Sequence, residues 1–470
     1  MRQTLYGGVT FPADGPDLEN VARLDAGARP MIHHMRQRGL QVDLSHFERM
    51  ERVLTEDLER IEEEVRQIAG HYVNLASGPQ VSHLLFKELG LKQARLRLTK
   101  SGDRESVDNE VLVAIQHDHE VVPKILDFKE LDKLRGTYVV PMPKLARRVK
   151  HGEWRMFPKL GDTRVPSGRL NCQEPNLLAM PNRTERGREV CEGFITEEGW
   201  VYVSVDESQI EPRVAAHRSG DAELTRIYFN EEDIYSDFAI AAFKLADERY
   251  QDAEGWHYPG VHKKKHRFPS KTCILSAIYE ISAKGLLEKM PTVCRHCFAD
   301  ATAHDVDACP AGRYESYWTE TNCQDILNAF ALKYAGVISM RRRDHQRARR
   351  HGYLWDDWGR LLHVIATRSV HEWVVSAALR EAGNFPIQGT AQGTVKLTMA
   401  AVQDDLEAAK MLDVCHPLLQ VHDELLFEAR QDVAEELAAH VKMRFETCVG
   451  LDVPIKAASA QAPNWGSMPK

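Results

Sequence analysis

Apolar and polar residues alternate through Val201, Val203 and Val205, the period of a half-buried β-strand. Asp206 stands where the alternation stops, and Ile210, Val214 and Ala215 follow at helical spacing. Far downstream, His416 to Glu428 reads as apolar strand, polar tip, apolar strand, with Asp423 and Glu424 at the tip. Nearer the N-terminus, Phe47, Met50, Leu54, Leu58, Ile61, Val65 and Ile68 recur mostly three or four apart, which predicts a helix from Leu44 to Ile68. Glu and Arg fill its other face, a charge pattern that reads as a solvated surface. A second helix pair follows Val107 and ends near Glu130 to Tyr138.

The two acid-tipped strands carry the first candidate chemistry. A carboxylate held at the end of a strand is well placed for a metal ion. Two such strands in one sheet could hold two Mg²⁺ ions, as an in-line phosphoryl or nucleotidyl transfer requires. The plainer reading is two unrelated turns, because strand-end acids also serve as turn formers.

Composition narrows the setting. A chain of 470 residues with 43% hydrophobic residues can fill several cores. No apolar run reaches the ~18 residues of a membrane span, and Met1 to Tyr6 lacks a signal-peptide core, so a cytoplasmic protein without membrane contact is expected. Nine unevenly spaced cysteines do not form a disulfide framework. The net charge of −8 leaves room for nucleic acid only through a local basic groove.

Four ordered motifs carry a resemblance. Asp206 to Arg213 (DESQIEPR) resembles the first palm motif of family A DNA polymerases, the bacterial polymerase I family, and Gln420 to Glu424 (QVHDE) the second acidic one. Pro175 to Thr184 and Phe385 to Thr390 resemble further family signatures, and the likeness runs from about residue 29 to the C-terminus. The resemblance implies an α+β right-hand fold with a helical thumb, an antiparallel palm and helical fingers. It divides the chain into a leader (1–28), thumb (29–160), palm (161–230 and 376–470) and fingers (231–375).

The resemblance also implies roles. Asp206 and Asp423 would be the Mg²⁺ ligands, with Glu207 contributing its backbone carbonyl. Lys271 would be both a phosphate ligand and the acid for departing pyrophosphate. Arg267, Lys271, Leu275 and Tyr279, spaced by four, would line the nucleotide site with Gln209, Glu211 and Tyr235. Glu211 would crowd and repel a 2′-hydroxyl. Tyr235 replaces the histidine usual at its place, Leu275 the usual aromatic, and Glu280 the usual glycine. DNA would be met by Lys133, Arg169, Asn176, Arg183, Arg380, Asn384, Gln388 and His422. Arg169 and Gln388 would check pair geometry through minor-groove acceptors that look alike for all pairs. The partners implied are primer-template DNA and deoxynucleoside triphosphates. With the thumb expected to begin near residue 29, synthesis without intrinsic proofreading is expected, and a separate exonuclease, helicase-primase or processivity factor is a further candidate partner.

Two stretches stand apart. Residues 291–323 are unlike the family core and contain Cys294, Cys297, His304, Cys309 and Cys323. Cys-x-x-Cys is a common zinc knuckle, and four of these five residues could supply a tetrahedral Zn²⁺ site with a structural role; a reduced loop without metal is the alternative. The helix containing Arg341 to Arg350 could attract phosphate or simply face solvent. The compact layout points to a viral, plasmid or mobile-element replicase. A gap-filling or lesion-bypass polymerase, or a non-catalytic nucleic-acid-binding protein, are the alternatives.

Overall fold

The computed structural model describes residues 3–92, 98–99, 102, 104–149, 152–162, 164–182, 184–291, 293–297, 308–311 and 315–469. Arg183 and His304 lie outside the described residues. Among the described residues no helix is long and apolar enough to cross a membrane.

Helix α1 (Leu18–Arg38) starts where Asp17 accepts the Asn20 N–H at 2.9 Å. It stops at Gly39, whose φ of +62° and close approach to the Met156 carbonyl leave no space for a Cβ. The leader boundary expected at residue 28 falls inside this helix. Asn20 donates to the carbonyl of Trp358 at 2.9 Å, and Phe11 packs on the Trp358 ring at 4.7 Å. The Gly, Pro and Asp of this segment build caps and turns rather than a detached tail.

Helix α2 (Leu44–Ala69) buries Phe47, Leu54, Leu58, Ile61 and Val65, the stripe its periodicity predicts, and packs against α3 (Val121–Lys133). Together they form the helical thumb. Strand β1 (Trp200–Glu207) then leads into α4 (Ile210–Ser219), α5 (Ile234–Ala242) and α6 (Phe268–Ala277). Next come α7 (Glu320–Lys333), α8 (Ala335–His351) and the long buried α9 (Glu372–Ala408). Strands β2 (Cys415–Val421) and β3 (Glu424–Arg430), α10 (Ala434–Thr447) and β4 (Ala457–Ala462) complete the order.

The palm is an antiparallel sheet in the order β2-β3-β1-β4. Its central strand departs from the half-buried expectation. Val203 and Val205 are buried, and so are Tyr202 and Ser204 between them, because helices and loops cover both faces. Each buried hydroxyl has a partner: Tyr202 donates to the Ile195 carbonyl at 3.2 Å, and Ser204 to a Glu424 carboxylate oxygen at 2.5 Å. Helix α1 packs on β2, α10 on β1 and β4, and α9 joins both helices. The fingers have their own core, in which Phe238 of α5, Cys273 of α6, Cys323 and Phe330 of α7 and Val337 of α8 meet. Burying each large apolar side chain there contributes roughly 1.5–3 kcal/mol, which sets the α6 position. The α+β class, with helical thumb and fingers around an antiparallel palm, is the one the sequence implied.

Candidate active site

The antiparallel register brings the acids together. Asp206 lies opposite Glu424 on one side and Ala458 on the other. Asp423 sits in the hairpin between β2 and β3, and its carbonyl accepts the Glu207 N–H at 3.2 Å. His422 turns this hairpin with φ +59°, and Gln420 donates its side-chain amide to the His422 carbonyl. The carboxyl-bearing tips of β1 and β3 are thus fixed by ladder bonds rather than by loops.

The electrostatics are those of crowded acids. Burial raises the pKa of the Asp423 carboxyl, and the charge of Glu211 adds to the effect. The Glu207 carboxyl is buried and lacks a hydrogen-bond partner among the described residues. Burial pushes it far above the usual carboxylate range, with Asp423 and then Asp206 contributing. Hard oxygen donors on neighbouring strand tips are the ligand type that suits divalent cations such as Mg²⁺.

Helix α4 carries the next group. Gln209 opens it in the left-handed conformation (φ +60°) and accepts from the Tyr228 hydroxyl at 3.4 Å. Arg213 holds the turn by donating to the Ser208 carbonyl at 2.9 Å, with its guanidinium 4.4 Å above the Tyr228 ring. Glu211 faces the site from the first turn and forms an ion pair with Arg169. The Tyr279 hydroxyl lies beside Glu211 and Gln388; burial and then the Glu211 charge keep it protonated. Arg169, Glu211, Tyr279 and Gln388, from four separate stretches of sequence, therefore form one cluster.

A second cluster lies at the start of α6. Arg267 ends the turn Lys263–Arg267 just outside the helix, and Pro269 occupies the first turn, where its missing N–H is tolerated. Tyr235 collects both cations: the Arg267 guanidinium is 5.2 Å and the Lys271 ammonium 5.7 Å from its ring centroid. Burial, followed by the Asp233 charge, pushes the Tyr235 hydroxyl up to about 12, so it stays a hydrogen-bond donor at neutral pH. Lys271 is exposed and Leu275 half-buried along the same helix.

Several positions were not anticipated. Asp233 binds Arg267 with two hydrogen bonds, to Nε at 2.7 Å and Nη2 at 3.0 Å, while also capping α5. Glu280 pairs with His345 and Arg341 of α8. That pairing, the Arg341 bond to the Ala277 carbonyl at 2.5 Å and the stacking of Arg347 on Trp355 at 4.1 Å turn part of the basic run inward. Arg342, Arg343, Arg349 and Arg350 remain exposed.

On α9, Arg380, Asn384 and Gln388 lie four apart on one helix face. Arg380 is exposed and donates to Ser376 at 2.9 Å, and the Asn384 side-chain oxygen is buried without a partner. Lys133, Asn176 and His422 are exposed on other elements. In the Cys-rich stretch, the sulfurs of Cys294, Cys297 and Cys309 lie within 4.8 Å of one another. Cys323 does not join them. It is buried on α7 beside Cys273 of α6, where helix packing rather than sequence proximity decides its direction.

The family model of DNA polymerase family A matches residues 44–467. The thermostable DNA polymerase I of Thermus filiformis is 32% identical over 435 residues, 93% of this chain and 47% of that protein. DNA polymerase I of Deinococcus radiodurans is 31% identical over 93% of this chain and 41% of its own length, and that of Bacillus subtilis 28% over 95% and 46%. The chain thus spans under half the length of these curated relatives. Among solved structures, the POL domain of Pol1 from M. smegmatis, in complex with DNA primer-template and dNTP, superposes with a TM-score of 0.78 at 26% identity over 96% of this chain and 73% of that one. The ordered motifs, the antiparallel palm with its paired acid tips and a family match over most of the sequence agree, and the chain belongs to DNA polymerase family A.

Proposed function

We propose that this chain is a DNA-templated DNA polymerase that extends a primer 3′-hydroxyl with deoxynucleoside triphosphates. The carrying observation is the register that joins the Asp206 strand tip to the Asp423 hairpin, with the Arg267–Lys271–Tyr235 cluster on the neighbouring fingers helix. Two Mg²⁺ ions held by Asp206 and Asp423, with the Glu207 carbonyl, would supply a more acidic 3′-hydroxyl and charge neutralisation on the phosphates.

The chain's own residues do the rest. Arg267 and Lys271, at the N-terminal end of α6 where the helix dipole is positive, bind the triphosphate. The primer 3′-oxygen forms the new bond to the α-phosphorus as the bond to the bridging oxygen breaks. The 3′-hydroxyl proton is lost, and Lys271 gives a proton to the departing pyrophosphate. Glu211 occupies the space of a 2′-hydroxyl and is held there by Arg169 and Tyr279. Gln388, Asn384 and Arg380 form a stripe along α9 for the duplex end, with His422 at the primer terminus. Lys133, Asn176 and Arg183 would contact the backbone.

Primer extension with Mg²⁺ and four deoxynucleotides tests the assignment. Wild type extends the primer; Asp206→Ala and Asp423→Ala lose extension while retaining DNA binding, because each removes a ligand used in the transition state. Extension within tenfold of wild type by either variant would sink it.

A further inference from the structure

We propose that Cys294, Cys297 and Cys309 hold one Zn²⁺ ion, and that this ion braces the nucleotide-binding end of the fingers. The three thiols come from two separated stretches, yet their sulfurs lie within 4.8 Å of one another. The Sγ atoms of Cys294 and Cys309 are 3.9 Å apart. Two thiolates on one tetrahedral Zn²⁺ are about 3.8 Å apart, given Zn–S bonds of about 2.3 Å, whereas a disulfide brings its sulfurs to about 2.05 Å. The spacing excludes a disulfide and suits a shared ion.

The backbone around the thiols is paired, which brings the Cys294 stretch into register with the segment at Ser316. Arg295 donates its N–H to the Glu315 carbonyl at 2.7 Å, Tyr317 to the Val293 carbonyl at 2.9 Å, and Cys294 bridges to Ser316. Cys294 and Cys309 are buried, and Cys297 is half-buried. Three thiolates leave one corner of the tetrahedron for a further donor.

The knuckle is joined to the nucleotide site by contacts. The strand segment at Ser316 runs into Tyr317 and Trp318, whose rings meet edge-on at 5.1 Å. Trp318 packs on Phe243 at 6.2 Å, and Phe243 on His266 at 5.0 Å. His266 immediately precedes Arg267. Directly after Trp318, Thr319 caps α7 by accepting the Asn322 N–H, and α7 packs against α6. A segment this small has little core of its own, so ordering it takes an ion. Loss of the ion would loosen Trp318 and, through Phe243, the turn that carries Arg267.

The test uses the full chain purified under reducing conditions without chelator. Metal analysis is expected to find about one zinc per chain, as for a structural site. The Cys294→Ser/Cys297→Ser double variant is expected to lose the ion and Cys323→Ser to keep it. Zinc withdrawal from wild type, followed by chelator removal and assay in excess Mg²⁺, should raise the KM for deoxynucleotide several-fold and leave kcat less affected; added zinc should restore it. Wild-type chain that holds no zinc and takes up no Co²⁺ with a thiolate charge-transfer band would overturn the site. Equal zinc loss in Cys323→Ser would overturn the ligand set, and an unchanged KM after withdrawal the brace. The metal content is read without polymerase activity, so its outcome is separate from that of the extension assay.

Discussion

Glu280 holds φ +58° at the turn after the fingers helix, and its carboxylate lies 3.0 Å from Nε2 of His345. The left-handed region favours glycine, the residue the resemblance places here, so the ion pair to α8 offsets a backbone cost. Glu280→Ala and Glu280→Gly both lose the pair, but only alanine keeps the strain. Glu280→Ala should therefore be the less stable by about 1 kcal/mol. Denaturant midpoints of the two variants check this; equal midpoints would remove the strain argument.

The Glu211–Arg169 pair sets the second expectation. Removing the carboxylate opens space for a 2′-hydroxyl and removes the charge that repels it. Glu211→Ala should raise the ratio of kcat/KM for ribonucleotide over deoxynucleotide on the order of tenfold. It also unpairs Arg169, so the rate on matched DNA should change as well. A constant ratio would take Glu211 out of the gate.

Leu275 stands half-buried on the α6 face that carries Lys271. It offers apolar contact but no flat ring and no hydroxyl to stand in for a missing 3′-OH. Wild type should use dideoxynucleotides poorly, and Leu275→Tyr should improve the dideoxy-to-deoxy ratio several-fold, on the order of 1 kcal/mol. The measurement is that ratio for both proteins on one primer-template. A ratio already near one in wild type, or no rise in the variant, would move Leu275 away from the sugar.

His416 gives a pH expectation. It is stacked on Trp200 at 5.3 Å and sits 3.3 Å from His34; burial, then Arg38, push its pKa from 6.5 to about 3. The folded state thus keeps it neutral where the unfolded chain would protonate it. The linked stability is fully present above pH 6.5 and is lost as pH falls from there toward about 3, at up to roughly 1 kcal/mol per pH unit for a half-buried group. His416→Gln should be less acid-sensitive than wild type in that window. Parallel unfolding curves at each pH test it; identical slopes would refute it.

The strand that ends at Asp206, the hairpin at Asp423 and the α2 stripe were legible because each is written in local periodicity. The four-residue spacing of Arg267, Lys271 and Leu275 was legible for the same reason. The clasp of Asp233 on Arg267 was not, since an acid at a helix start reads first as a cap, and Asp233 is one. Nor was the burial of Tyr202 and Ser204, which depends on what covers the second face of the sheet. Cys323 was grouped with the other thiols by proximity in sequence, whereas the packing of α7 on α6 turns it away. Glu280 was recognised as a departure from glycine, but its partners on α8 lie some sixty residues further on and could be found only in three dimensions.

The position of β1 at the centre of its sheet has a consequence for synthesis. Both neighbours of β1 come from the last part of the chain described: Ser204 and its partner Glu424 are 220 positions apart. A nascent chain can close its thumb and most of its fingers early, from contacts between nearby helices. The strand bearing Asp206 must then wait, with both edges open, until the ribosome has delivered the hairpin and β4. Such late, long-range pairing is slow and exposes unpaired edges meanwhile. The step most vulnerable to aggregation is therefore the one that assembles the central palm sheet, and conditions that slow aggregation during expression should raise the yield of correctly folded chain more than the yield of total protein.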